Sequence, residues 1–373
     1  MMKKRENPNA FKHAINKDVL IKMAAAIRKV YPPFDSKQFI AIANDLDSLE
    51  LKPRVLRIRD QLKDQLPPDY AKALKILLTS LKSKNLSGFD LWPYTEYVQT
   101  YGLDQPALSL NALYELTQLF TAEFAVRPFI KKHPKITLAF LKKCSVDSNV
   151  HIRRWASEGS RSRLPWGERL ETFTKDHRPT IPLLENLKFD DELYVRKSVS
   201  NHLNDMAKDH PGMVIEILKK WQAKAGTQHD AKINWIIHRS LRTLIKQGHP
   251  KALELVGAFQ NLKIKMSPLK LSKKSYKMND RIAFVFAIKS ETKKSQKLVV
   301  DYVIHFMKSN GTTAPKVFKL KNFELKALES VSFKKSHHLK EITTRVYYPG
   351  IQYLQIQVNG KTYEKVKWNL ENF

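Results

Sequence analysis

The sequence predicts a multidomain chain, an all-α repeat solenoid over residues 1–265 followed by an all-β immunoglobulin-like sandwich over 266–373. Three observations predict it. Apolar residues recur at helical spacing through the first part, and a basic doublet returns there 43 residues after its first appearance. Beyond a Lys/Ser-rich linker around Lys265 to Lys277, the pattern switches to short alternating runs.

Residues 1–12 read as a frayed start. Ile15, Val19, Met23, Ile27 and Val30 mark a first helix and Phe39, Ile42 and Leu46 a second, with Pro32 and Pro33 as punctuation. Helical runs follow at Tyr70 to Leu81, Ser109 to Ile130, Pro134 to Lys143, Val150 to Ser157, Pro179 to Leu187, Tyr194 to Lys208, Gly212 to Trp221, Ala231 to Lys246 and Pro250 to Leu262. His133-Pro134, His210-Pro211 and His249-Pro250 each open a helix, where the missing N–H of proline is tolerated. Ile152-Arg153-Arg154 and Val195-Arg196-Lys197 open equivalent helices, and a period near 40 residues with paired helices is the signature of a HEAT-like solenoid. Stacked pairs present one concave face, which basic residues at equivalent positions would line. The alternative is coincidence in a generic helical protein.

After Pro268 come strand-like runs at Arg281 to Lys289, Leu298 to Lys308, Val317 to Leu320, Val331 to Lys334, Thr343 to Tyr348, Gln352 to Val358 and Thr362 to Trp368. Asn310-Gly311 and Asn359-Gly360 signal tight turns. Some seven short strands in about a hundred residues suggest an immunoglobulin-like sandwich.

The chain carries 66 Lys and Arg against 36 Asp and Glu, a formal charge of +30 whose field attracts polyanions. The sandwich region holds 21 of the basic and 8 of the acidic residues, so it is expected to fold separately and to clamp a polyanionic partner, the alternative being a cap on the solenoid. Cys144 is the only cysteine, which excludes an internal disulfide and Cys-rich metal clusters, and it reads as a buried apolar residue. The charged stretch Met1 to His13 and Lys22 within Val19 to Ile27 leave no signal peptide or membrane span, so a cytoplasmic location is expected. There is no glycine-rich phosphate loop, G-x-S-x-G elbow or His-Glu-x-x-His helix. His337-His338 reads as surface. No metal and no cofactor are expected.

Two carboxylates and one loop stand out. Glu123 continues the apolar stripe of Leu113, Leu116, Leu119 and Phe120, which places a charge where burial is costly; the bland reading is an ion pair with Arg127. Asp205 lies beside the stripe of Val195, Val199, His202 and Met206, and alone would be a solvated helix residue. Between them, Arg161 to Gly167 sets Trp166 beside proline, glycine and arginines, a combination of stacking ring and phosphate-binding groups; the alternative is a tryptophan capping its own repeat. Arg153, Arg154, Arg161, Arg163, Arg196, Lys197, Arg239 and Arg242 are the candidate phosphate contacts, about half of them expected to be merely solvated.

At these residues the chain resembles the AlkC branch of the DNA alkylation repair glycosylases, related to AlkD. The resemblance is carried by DLDSLELKPRVLRIRDQLKDQLPPD (45–69), SLNALYELTQLFTAEFAVRPFI (109–130), HIRRWASEGSRSRLPWGERL (151–170), YVRKSVSNHLNDMA (194–207) and HRSLRTLI (238–245). It implies a HEAT-like solenoid, which some members extend with an immunoglobulin-like domain. It also implies hydrolysis of the N-glycosidic bond of N3-methyladenine and N3-methylcytosine in duplex DNA without a base-flipping pocket. Residue by residue, the family's catalytic glutamate falls on Glu123, its groove tryptophan on Trp166 and its motif aspartate on Asp205. A monomer acting on double-stranded DNA, with no membrane partner, is expected. The rival readings are a non-catalytic HEAT-repeat DNA-binding protein and a protein-interaction scaffold.

Overall fold

The computed structural model describes residues 10–371. Four of its α-helices begin where short polar side chains satisfy the free N–H groups of a first turn. Asn16 accepts from the backbone N–H of Asp18 and Val19 at the start of Lys17–Val30, and Asp35, Asp69 and Asn149 cap Ser36–Ala41, Tyr70–Ser80 and Val150–Gly159. Each His-Pro pair opens a helix, namely Pro134–Cys144, Pro211–Ser240 and Pro250–Leu255. Gly226, at φ +59°, breaks Pro211–Ser240 into two segments.

The repeat has a mechanical basis. Arg153 Nη1 donates to the carbonyls of Asp147 and Ser148 at 3.0 and 2.9 Å, and Arg196 Nη1 donates to those of Asp190 and Asp191 at 2.8 and 2.7 Å. The same 43-residue step relates the N–H of Asn149, held by Asp147 Oδ1, to the N–H of Glu192, held by Asp190 Oδ1. Each arginine closes the loop that delivers its helix, and the helices Val150–Gly159 and Leu193–Asp209 pack on one another. These basic positions recur because the fold requires them.

One expected helix is divided. The run Ser109 to Ile130 forms Pro106–Thr117 and then Arg127–Lys132, with a turn-rich segment between them. Pro128 sits in the first turn of the second helix, where its missing N–H is tolerated, and it keeps that helix from extending back through Phe124. Glu123 therefore sits in an inter-helix turn, not on a helical stripe.

The chain divides into two compact units between Asp209 and His210. The first has a continuous apolar core reaching from Ile15 to Leu183, in which Cys144 is 3% exposed and burial pushes its thiol up to about 12. The second contains the last helices and nine strands among the described residues. These are β1 Ile264–Met266, β2 Lys270–Leu271, β3 Ser275–Tyr276, β4 Arg281–Ser290, β5 Gln296–Met307, β6 Thr313–Leu325, β7 Ser330–His338, β8 Gly350–Val358 and β9 Lys361–Leu370. One sheet runs β1-β4-β2 with β7 also on β4, and the other runs β3-β9-β8-β5-β6. Phe284, Tyr302, Trp368 and their neighbours fill the space between them. Thr343 to Tyr348 forms no strand, only a bridge between Ile342 and Arg345.

Strand structure begins at Ile264, whereas the compact unit begins some fifty residues earlier. The reason lies at the Asn359-Gly360 hairpin. Asn359 Nδ2 donates to the carbonyl of Phe259 at 2.7 Å, and Gln357 Nε2 donates to that of Lys246 at 2.9 Å. Gly360 meets Gly248 so closely that an added Cβ would fall 2.3 Å from the Gly248 Cα.

Asp301, on β5, is 3% exposed, and burial pushes its carboxyl up to about 6 against the opposing pull of Lys246 and Lys319. A raised acid is neutral in both states at low pH and costs stability once the unfolded chain can ionise it, so stability falls as pH rises from about 4 to 6. Asp301→Asn is expected to stabilise the protein at pH 7 by about 2–3 kcal/mol and to have little effect at pH 3.5. Thermal unfolding at the two pH values checks this, and equal shifts at both would refute it.

Candidate active site

Three carboxylates and three cations form one connected chain in the first unit. Arg154 Nη1 is ion-paired with Glu123 Oε2, and Arg154 Nη2 lies 3.7 Å from Glu158 Oε1. Arg161 Nη1 donates to the same Glu158 oxygen at 2.6 Å, while its Nε and Nη2 reach Asp205 Oδ2 at 2.9 and 2.8 Å. Lys208 Nζ completes the row, 3.1 Å from Asp205 Oδ1. Burial opposes the charge on Arg154 and Arg161, but their acidic neighbours outweigh it and raise both guanidinium groups above their ordinary value.

The carboxylates differ in what they have left to offer. Asp205 has both oxygens engaged and only 4% of its side chain exposed. Glu158 is likewise closed, because Ser198 Oγ donates to Oε2 at 2.6 Å while Arg161 occupies Oε1. At Glu123 the hydroxyl of Thr121, 3.0 Å away, and Arg154 both converge on Oε2. Oε1 of Glu123 accepts nothing from the described residues.

Arg127 is not the partner of Glu123. It is 1% exposed and donates through Nη1 to the carbonyls of Gly159 and Arg161 at 3.0 and 2.7 Å, and through Nε to that of Glu168 at 2.7 Å. Burial lowers its pKa to about 10. It thereby pins both ends of the loop that carries Trp166. That tryptophan is 73% exposed and sits at φ +63°, a strained conformation for a bulky residue that throws the ring outward.

Trp166 does not cap its own repeat. Its ring meets Phe11 edge-on at 6.3 Å, and Phe11 leads through Phe89 and Trp92 to Phe124, the neighbour of Glu123. A cleft lined by Phe120, Thr121, His151 and Tyr194 among others, but not by Glu123 itself, has a volume of about 270 Å³. That is below the range of about 300–1,000 Å³ common for closed ligand pockets.

Several expected phosphate contacts are engaged within the protein. Arg153 pairs with Asp190 and holds two loop carbonyls, Arg161 is buried, Arg163 pairs with Asp209, and Arg196 holds loop carbonyls. Arg154 serves Glu123 and lies 5.3 Å over the Tyr194 ring. Lys197 is exposed and makes no ion pair among the described residues. In the second unit Arg239 lies 5.5 Å over Trp235, and Arg242 donates to the Arg239 carbonyl at 2.6 Å. Glu158 and Phe11 were not singled out from the sequence. The signal for Glu158 was its spacing, four residues after Arg154 and three before Arg161.

Residues 265–372 match a family model described as the C-terminal Ig-like domain of the uncharacterised protein YhaZ. The chain is 36% identical over 362 residues to the uncharacterized protein YhaZ of Bacillus subtilis (strain 168), covering 96% of this chain and 99% of that one. It is also similar to the solved structure of Pseudomonas fluorescens alkylpurine DNA glycosylase AlkC bound to DNA containing an abasic site analog. There the TM-score is 0.91 at 38% identity, over 97% of this chain and all of that one.

Proposed function

The chain belongs to the AlkC family of alkylpurine DNA glycosylases, and from that premise we propose how its own residues break the N-glycosidic bond of a small cationic base. It is a DNA glycosylase of alkylation repair, with DNA as its partner. The substrates we assign are N3-methyladenine and N3-methylcytosine in duplex DNA. Such bases already carry positive charge and leave without protonation, so the remaining barrier is the cationic, oxocarbenium-like sugar and the placement of water.

The observation that carries this reading is the unengaged Oε1 of Glu123. A carboxylate fixed through one oxygen by Thr121 and Arg154 presents the other to the developing cation or to the attacking water. Asp205 and Glu158 have no oxygen to spare, so we read them as positioning residues that hold Arg161 and Arg154, and through them Glu123. Trp166 supplies a π face to the lesion or its sugar. No lysine is called on, so the reaction ends at an abasic site without strand cleavage, and it needs no metal or cofactor. We read the lesion as attacked on the DNA itself rather than flipped into a closed pocket. Among the described residues no helix is long and apolar enough to cross a membrane, and we place the enzyme in the bacterial cytoplasm with its DNA. Chromatography of bases released from methylated DNA tests the assignment, and absence of any released methylated base would end it.

The engaged arginines lead to a second test, on binding. Lys197→Ala is expected to reduce the slope of log affinity against log salt by about 0.9, the value for one lost phosphate contact. Arg163→Ala should leave the slope unchanged, because Arg163 is held by Asp209. Salt titrations of both variants decide the point, and a changed slope for Arg163→Ala alone would reverse the assignment.

A further inference from the structure

We propose that Phe11 is a second DNA-contacting ring, which forms with Trp166 an aromatic wedge that stacks on the bases bordering the lesion. The inference rests on the glycosylase reading above and extends it to a residue outside the solenoid's repeats.

Phe11 and Trp166 are 62% and 73% exposed, although large apolar side chains in contact with each other ordinarily shelter one another. They meet edge-on, with ring planes 75° apart and centroids 6.3 Å apart, so neither face is covered by the other. Both rings are held from behind. Arg127 fastens the Trp166 loop at Gly159, Arg161 and Glu168, and Phe89 backs Phe11 with a centroid separation of 6.0 Å. The short 3-10 helix Phe11–Ala14 is fixed as well, since Arg54 Nη1 donates to the carbonyl of Ile15 at 2.8 Å. An exposed ring backed by its neighbours loses less freedom on binding, so more of its stacking energy is kept as affinity.

The chemistry of the partner follows from the surroundings. The loop that carries Trp166 is tied to the Glu123 carboxylate through Arg161, Glu158 and Arg154, so the exposed ring pair belongs to the same site as the reacting nucleotide. A nucleobase offers a flat π face regardless of its identity, and base-on-aromatic contacts tolerate any sequence. Intact duplex keeps its bases stacked on one another. A lesion nucleotide, or the gap it leaves, frees the neighbouring faces for the wedge.

The test uses the full chain and two duplexes, one containing a tetrahydrofuran abasic-site analogue and one undamaged. Phe11→Ala is expected to weaken binding to the abasic duplex about 5- to 100-fold, the range for one lost base-stacking contact, and to change binding to intact duplex less than about twofold. Phe11→Leu keeps apolar bulk against Phe89 but has no π face, and should lose nearly as much, while Phe11→Trp should restore affinity. The wedge is overturned if Phe11→Ala stays within twofold on the abasic duplex, or if Phe11→Leu binds like wild type, since the ring would then be only a packing residue. Base release by wild type separates the two ideas. If wild type releases no methylated base, the glycosylase reading fails and the wedge fails with it; if it does and Phe11→Ala binds normally, the wedge alone is wrong.

Discussion

Glutamine at position 123 is expected to lower single-turnover release of methylated bases at least about tenfold, with DNA affinity retained and the protein still folded at a lower unfolding temperature, since Arg154 is left with Glu158 as its only carboxylate. The substitution keeps the shape of the side chain and removes only its charge, in a side chain that is 12% exposed and whose field water therefore screens weakly. Loss of one positioned electrostatic partner lowers rates by up to about two or three orders of magnitude in well-defined sites. Asp205→Asn should also slow base release, for a different reason. It leaves Arg161 with Glu158 as its only carboxylate, so the slower rate should come with a lower unfolding temperature. Equal rates for wild type and Glu123→Gln would remove Glu123 from the chemistry.

Arg127→Met is expected to cost about 3–5 kcal/mol of stability, the largest effect on folding of any single change considered. It leaves the carbonyls of buried Gly159 and Arg161, and that of exposed Glu168, without their donor. Arg127→Lys should rescue little, because a point charge cannot span three carbonyls as a planar fork does. In Arg127→Met protein that still folds, the Trp166 loop should be loosened and base release reduced. Urea denaturation followed by far-UV circular dichroism measures the first effect, and an unchanged midpoint would show that the loop is held by other means.

Much of this architecture is legible in the sequence. The His-Pro helix starts, the 43-residue recurrence and the Asn-Gly turns each depend on local chemistry, and local chemistry survives into the fold. What misled was also local. The helical pattern runs unbroken through residues 109–130, yet the helix ends at Thr117 and restarts at Arg127, which moves Glu123 off the stripe to which periodicity assigned it. The recurring arginines looked like a row of phosphate contacts, yet at Arg153 and Arg196 they close loops. A sequence shows that a charge is present but not what it faces. Glu123 meets Arg154 across 31 residues and Arg161 meets Asp205 across 44, and no helical spacing encodes such pairs. Trp166 was conspicuous because its neighbours in sequence are unusual, whereas Phe11 was hidden because its significance comes only from a ring 155 positions away.

The meeting of Gly248 and Gly360 bears on how such a protein can be assembled or taken apart. Both residues have left-handed backbone, at φ +74° and +79°, and neither can carry a side chain without pushing a backbone aside. A cut at residue 265 would part them and strip Asn359 of the Phe259 carbonyl, leaving two raw surfaces where the intact chain has a fitted joint. For recombination between relatives, or for grafting the strands onto another scaffold, the portable cassette begins at His210 and takes the last helices with it. The joint that a graft must keep intact is thus set by two missing methyl groups, inside the unit that begins at His210.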